Sequence, residues 1–421
     1  MRKNYTLKIQ KVRRSEGQKI VLPVLKLKGL NNLKAKVITR TVFLLSLVSF
    51  FGDISSELLY PIMPLYLKSI GMGALYIGML EGVADAIAGI SKSYFGKLSD
   101  VSGRRMPFVW FGYVLSSFSK AAIGLFVNPV WVLFTRSADR LGKGVRTASR
   151  DAMLSAEATP ETKGAVFGFH RSLDTFGAFV GPILALVYLH FHPGEYRRLF
   201  TYALIPAIFV VFSLMFVKEK KVERKVENGN LFWSSLTYWK TASSDYKRII
   251  SLILLFTLVN SSDMFLLLKA RASGLSDVQT ISLYIFYNFI YAGSSYQMGK
   301  ISDTIGKKKV FLMGLVFFVI TYAGMAFNTR MDVFYFLFFF YGLFAASTEG
   351  ITKAWVSNLC EKVDMATALG FQSTTQSLAS MLASFIAGLI WYSFGSQYVF
   401  ILASLVTFII AILLFREKRI A

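Results

Sequence analysis

GKLSDVSGRR at 96–105 returns as GKISDTIGKK at 299–308, and this repetition decides how the rest of the chain is read. The offset is 299 − 96 = 203 residues, and it carries beyond the motif, setting Gly71 against Gly274 and Asp85 against Asn288. A chain of 421 residues written as one half and then again predicts two similar bundles with a site between them.

Away from the motif the sequence is apolar. The hydrophobic set makes up 54% of the chain and aromatic residues 15%, a usage foreign to an ordinary soluble domain. A bilayer core about 30 Å thick takes roughly 20 apolar residues of helix, and the sequence predicts twelve such spans. Six lie at 41–67, 75–96, 107–127, 130–151, 165–190 and 199–217. Six more lie at 249–269, 278–299, 309–327, 332–357, 367–392 and 397–415. The longest interruption is charged and then mixed aromatic and polar (LFWSSLTYWK at 231–240). The expected layout is a basic tail at 1–40, a six-helix bundle at 41–217, a linker at 218–248, a second bundle at 249–415 and a short end at 416–421.

The net charge of +23 raises the question of nucleic acid, and its placement answers it. Lys and Arg crowd the tail, the loop at Lys97, Arg104 and Arg105, the linker, the run Lys307 to Lys309 and the C-terminal end. The alternate connections, near Ser69, Asn128, His192, Ser273, Asn328 and Gly395, carry few cations. The positive-inside rule then predicts a multi-pass protein of the cytoplasmic (inner) membrane with both termini in the cytoplasm. Its expected partners are the bilayer, a small-molecule solute and protons, with no nucleic acid, and the chain is expected to act as a monomer. The tail from Met1 to Lys36 has one acid, Glu16, and no apolar run fit for a signal peptide. It reads as a solvated cytoplasmic segment drawn to anionic lipid. The lone Cys360 implies packing, since it has no internal partner for a disulfide.

The repeated motif resembles the signature loop of the major facilitator superfamily. The family pattern is Gly, any residue, an aliphatic, a small residue, Asp, two of any kind, Gly and two basic residues. Gly96, Leu98, Ser99, Asp100, Gly103, Arg104 and Arg105 fill it, and Gly299, Ile301, Ser302, Asp303, Gly306, Lys307 and Lys308 fill it again. The resemblance covers the chain from about residue 40 onward and implies an all-α membrane fold. Twelve helices would form two six-helix bundles related by a pseudo-two-fold axis. It also implies a gate in which Asp100 and Arg104 form a charge relay with an acid at the inner end of span four, where Asp151 stands. Read alone, an Asp and two cations at a helix end can form ion pairs that break when the halves rock. A phosphate-loop reading of GKISDTIGKKK fails, because six residues separate its glycines and no Ser or Thr follows the Lys.

Span five carries a second resemblance. Gly168, Gly177, Gly181 and Pro182 follow the pattern of the superfamily's proton-coupled exporters, a kink in the helix that implies export. Ala185 and Leu186 stand where that pattern closes on two glycines, a departure that weakens the implication.

Charges inside the spans are the remaining signal. Asp53 and Glu57 sit one turn apart in span one, and Glu81 and Asp85 repeat the arrangement in span two. Span four carries Arg136, Asp139, Arg140, Lys143, Arg146, Arg150 and Asp151; span five carries His170, Arg171 and Asp174; span seven Asp263; span ten Glu349 and Lys353. A charge at the bilayer centre costs at least about 2.5 to 3.5 kcal/mol, so these groups must face partners or a water-filled cavity. Asp53, Glu57, Asp85 and Asp174 are the candidates for proton coupling. Arg140, Lys143, Arg146, Arg171, Asp263 and Glu349 are the candidates for holding solute. Arg150, Asp151 and Lys353, near the inner helix ends, read first as struts. His190 and His192 are too few for a metal site, and no cofactor box is present.

The reading is therefore a secondary active transporter working by alternating access, proton-coupled and an exporter. A symporter or facilitator for an anionic metabolite is the alternative. A membrane-embedded enzyme would need a nucleophile or metal motif of the H-E-x-x-H or G-x-S-x-G kind, which the sequence lacks. A non-transporting receptor has no use for duplicated gate motifs and mid-span charge.

Overall fold

Thr39 caps the first helix by accepting a hydrogen bond from the Val42 amide, and Asn128 caps span four ahead of Pro129 at its first turn. Ser276 and Gln279 close a capping box at the start of span eight. The computed structural model describes residues 8–9, 23–24, 37–60, 62–72, 74–220 and 237–417, with 8, 9, 23, 24, 64, 65, 68, 74–79, 81, 85, 277 and 278 described by backbone alone. Within these, span one comprises Arg40–Glu57 and Met63–Ser69, span two Ala74–Ser102 and span three Met106–Ile123. Span four is Pro129–Ala156, span five Lys163–Phe191, and span six Tyr196–Tyr202 with Leu204–Met215. Span seven comprises Ser244–Thr257 and Met264–Ala272, span eight Asp277–Ile305 and span nine Lys307–Phe327. Span ten is Met331–Ser357, span eleven Met365–Phe394 and span twelve Ser396–Arg416. Among the described residues, 6 helices are long and apolar enough to cross a membrane on length and composition: spans five, six, nine, ten, eleven and twelve. The others are shorter, interrupted, or carry the charges that the interior uses.

Three features depart from the sequence expectation. Spans one and seven are each broken in the middle, after Glu57 and after Thr257. The duplicated motif is not a loop for most of its length: GKLSD and GKISD form the last turns of spans two and eight. Only the turn itself is non-helical, with Gly103 and Gly306 at φ 65° and 100°, a conformation that a side chain disfavours. The end of the linker is also structured. Tyr238 and Trp239 lie against Phe371 of span eleven at ring distances of 6.1 and 6.3 Å, and the Tyr246 hydroxyl donates to the Ala368 carbonyl at 2.9 Å. In the tail, Lys8–Ile9 pairs antiparallel with Pro23–Val24.

Span one packs on spans five and six, span two on four, and span three on four; eight packs on ten, and nine on ten and twelve. The first six spans meet the last six chiefly through two pairs, five with eight and two with eleven. These pairs exchange under the 203-residue offset, so the repeat in sequence is a repeat in packing. Glycine allows the closest approaches. A Cβ at Gly112 of span three would stand 2.6 Å from the Gly142 carbonyl oxygen of span four, and the reciprocal distance is also 2.6 Å. Gly168 of span five meets the Ser295 carbonyl of span eight in the same way, at 2.5 Å. Overpacking costs about 1 to 3 kcal/mol, and the location decides its effect. Gly112→Val should lower the thermal midpoint of the purified protein by several degrees, because spans three and four stay together in any state. Gly168→Val should cost less stability and instead raise maleimide labelling of a cysteine introduced by Ala292→Cys, since spans five and eight can part. Equal effects on both readouts would contradict this division.

Candidate functional site

The motif ends are built the same way in both halves. The Thr367 amide and hydroxyl, at the first turn of span eleven, donate to Asp100 Oδ2 at 2.7 and 2.9 Å. The Gly164 and Ala165 amides, at the first turn of span five, donate to the Asp303 carboxylate at 2.9 and 2.7 Å. Since 367 − 164 = 203, the two contacts are symmetry mates. Each carboxylate meets free amides and the positive end of a helix dipole from the other half, a favoured place for an anion. Gly96 and Gly299 permit the approach: a Cβ there would lie 2.5 Å from the Ala366 oxygen and 2.2 Å from the Gly164 oxygen.

The cation that completes the first contact is Arg105. Its guanidinium bonds Asp100 Oδ1 at 3.0 Å, the Ala152 carbonyl of span four at 3.3 Å and the Lys362 carbonyl of the other half at 3.3 Å. Arg104, expected from the sequence in that role, is exposed and hydrogen bonds locally with Ser102. Asp151 likewise does not join Asp100; it accepts from Lys353 of span ten at 2.6 Å and from Arg150 at 3.0 Å. In the second copy the first basic residue acts: Lys307 bonds Asp303 at 3.1 Å and the Pro160 carbonyl at 3.2 Å. Cys360 lies beside this interface, its Sγ donating to the Val356 carbonyl at 3.0 Å, and burial pushes its thiol up to about 12, so it stays protonated and inert.

Deeper, six charges alternate in sign. Glu349 pairs with Arg171 at 2.8 Å, Arg171 with Asp174 at 2.8 Å, Asp174 with Arg150 at 3.9 Å, Arg150 with Asp151 at 3.0 Å and Asp151 with Lys353 at 2.6 Å. Glu349 and Lys353 are one turn apart on span ten, so both ends of the series return to one helix. Two of its links, at Arg171 and at Lys353, join the halves. Arg171 also bonds the Tyr291 hydroxyl and lies over that ring at 5.4 Å. His170 shares a 2.9 Å hydrogen bond with Ser49, which also contacts Tyr113 and Arg150.

Above this series the two walls differ. On the first half, Asp53 has Asp174, Lys143, Glu57 and Arg146 as its charged neighbours, and Glu57 has Lys143, Arg140, Arg136 and Asp174. Lys143 is exposed although mid-span, and the Glu349 side chain is 45% exposed, which marks water-accessible space between the bundles. On the second half, Tyr284, Tyr287 and Tyr341 gather around Asp263, which accepts from Tyr341 at 2.6 Å, and Tyr291 packs on Tyr287. Arg146 stacks on Tyr113 at 4.0 Å. The Asp85 and Glu81 side chains lie outside the described residues. The glycines of span five act as contacts within an unbroken helix: a Cβ at Gly177 would collide with the Phe50 carbonyl oxygen of span one and a Cβ at Gly181 would stand 2.8 Å from the Leu58 amide nitrogen, with Pro182 inside the helix.

Sequence reasoning passed over Lys120. It is 2% exposed, donates to Ser56 at 2.9 Å and has Asp139 as its nearest counter-charge; Asp139 also accepts from Ser116 at 2.5 Å and pairs with Arg136 at 3.4 Å. A lone cation in an otherwise apolar span was the available signal. The tyrosines of span eight were visible too, at 284, 287 and 291, the spacing of one helix face.

The Major Facilitator Superfamily profile matches residues 45–286 and 265–420. An uncharacterised MFS-type transporter of Methanocaldococcus jannaschii is 34% identical over 390 residues, covering 91% of this chain and 96% of that protein. The multi-drug resistance efflux pump PmrA of Streptococcus pneumoniae is 21% identical over 387 residues, covering 85% of this chain and 92% of the pump. The crystal structure of the human organic anion transporter MFSD10 superposes with a TM-score of 0.70 at 16% identity, covering 89% of this chain and 99% of that one.

The geometry distinguishes two adjacent arginines. In a Cys360→Ser background, Arg105→Ala and Asp100→Asn should each increase maleimide labelling of a cysteine introduced by Ala366→Cys, a fully buried position. Arg104→Ala should leave it unchanged. Labelling that rises equally in all three variants would remove Arg105 from the latch.

Proposed function

Since the chain belongs to the major facilitator superfamily and is a transporter of small solutes, not an enzyme, we propose that it exports its solute by proton-coupled alternating access. The motif side faces the cytoplasm in this reading, which the cation distribution supports. The observation that carries it is water-accessible charge at mid-span, Lys143 and Glu349, above an interface latched at one end only by the motif contacts and the alternating charges. Rocking apart on the motif side must break the Arg171 to Glu349 and Lys353 to Asp151 pairs. Stranding a buried partner costs about 3 to 5 kcal/mol, so both pairs must find water or new partners as the cavity opens toward the cytoplasm.

Asp53 is the proposed coupling group. It stands between the acid Asp174 and the cations Lys143 and Arg146, and Gly177 brings span five against it. Any shift of span five or span four relative to span one changes both its hydration and its distance to those charges, and so its affinity for a proton. Glu57, Asp85 and Asp174 are the further proposed members. Arg140, Lys143 and Arg171 supply a cationic wall, with Arg146 buried behind it against Tyr113, which supports a solute with an anionic group, while likeness to the PmrA pumps supports export. Antiport of proton against solute follows from these two together.

Replacing Asp53 by Asn removes the proton site while keeping the shape. In proteoliposomes, Asp53→Asn should abolish transport driven by an imposed pH gradient, by at least about tenfold, while solute-for-solute exchange persists because exchange needs no net proton release. Undiminished gradient-driven flux in a stable Asp53→Asn protein would refute the assignment. Wild-type flux indifferent to the pH gradient would refute proton coupling altogether.

A further inference from the structure

The break in span seven carries a feature that the transport reading does not use. Helix stops at Thr257 and resumes at Met264, and among the described residues no hydrogen bond reaches the carbonyls of Leu258, Val259, Asn260 or Ser261. The side-chain oxygen Asn260 Oδ1 in the same break is buried without a hydrogen-bond partner, and Ser261, only 4% exposed, has the Tyr322 hydroxyl as its polar neighbour. Asp263 closes the break. Its neighbours are the hydroxyls of Tyr341 and Tyr287 and the acid Glu349, and none is a cation.

The corresponding break in span one is a useful control. The repeat offset sets Glu57 against Asn260, since 260 − 57 = 203. There the carboxylate has resident counter-charges in Lys143, Arg140 and Arg136. At span seven the principal polar neighbours of Asp263 among the described residues are Tyr341, Tyr287 and Glu349, while the oxygen donors are present and the C-terminal end of Ser244–Thr257 adds the negative end of a helix dipole. Hard oxygen donors with a single carboxylate suit a monovalent hard cation better than a divalent one, which asks for more anionic charge. Unwound carbonyls in a discontinuous membrane helix are a known way to build such a site.

We propose that the break in span seven is a binding site for an alkali cation, held by Asp263, Asn260, Ser261 and the freed carbonyls. The site is independent of proton coupling at Asp53. It ties the two half-helices of span seven together beside Tyr341, and so fixes the tyrosine wall of the cavity.

The test uses the purified full-length protein at constant ionic strength, with NaCl replaced stepwise by choline chloride. Na⁺ should raise the thermal midpoint saturably, because a ligand of the native state stabilises it, and equilibrium binding of radioactive Na⁺ should saturate over the same range. Asp263→Asn should abolish both, whereas Asp332→Asn, an exposed acid, should abolish neither. Should Asp263→Asn fail to fold, Asn260→Ala and Ser261→Ala must each weaken Na⁺ binding by about tenfold or more, the scale of one lost charge-assisted contact. Identical midpoints in Na⁺ and choline would overturn the proposal and assign the break to a protonated carboxylate and water. So would Na⁺ binding that survives Asp263→Asn undiminished, or that ignores both milder substitutions.

Discussion

Two carboxylates, Asp100 and Asp303, each held by amides at the start of a helix in the opposite half, are the constraint on which the rest of this structure depends. An Asp accepting amide hydrogen bonds at a helix N-terminus is stabilised by dipole and hydrogen bonding together, yet both contacts are made across the interface that opens in the proposed cycle. They therefore stabilise one state of the protein rather than its fold. Everything nearby serves this state-dependence: Gly96 and Gly299 let the helices touch, Gly103 and Gly306 turn the chain away at once, and Arg105 and Lys307 neutralise the carboxylates from their own halves.

The alternating charges from Glu349 to Lys353 extend the same logic inward. A neutral set of three acids and three bases is tolerable in a low-dielectric interior only while each member keeps its neighbour. Because span ten supplies both ends, movement of that one helix perturbs the series at Arg171, beside the cavity, and at Asp151, beside the latch. The arrangement offers a physical link between what occupies the cavity and whether the motif side holds. Glu349 is the member most open to water.

Much of this was legible in the residues. The repeat at offset 203 gave the two halves, and it reappears in the pairing of Asp100 with Thr367 and Asp303 with Gly164. Mid-span charge pointed to Asp53, Asp174, Arg171 and Glu349, and the structure joins the last three in one ion-pair series. Other features were not legible, for identifiable reasons. Adjacent Arg104 and Arg105 are chemically identical, and only the turn at Gly103 decides which points inward. The break in span seven arises at Asn260, Ser261, Ser262 and Asp263, side chains that compete for backbone hydrogen bonds and so disfavour helix without forbidding it. Hydropathy reads straight through such a stretch. Lys120 was visible as the lone cation of span three, but not its partners, because Ser56 and Asp139 belong to other spans.

In the proposed cycle the motif-side contacts open as the opposite side closes, with the charged cavity between. Distances between spin labels in a Cys360→Ser background test it directly. One pair, at the exposed positions Ala156 and Glu361, reports the motif side; a second, at Val127 and Thr329, reports the other side. Acidification or a transported solute should populate a longer distance in the first pair and a shorter one in the second, in equal proportion. Distances that stay fixed on both sides, under conditions where reconstituted protein carries solute, would contradict the account.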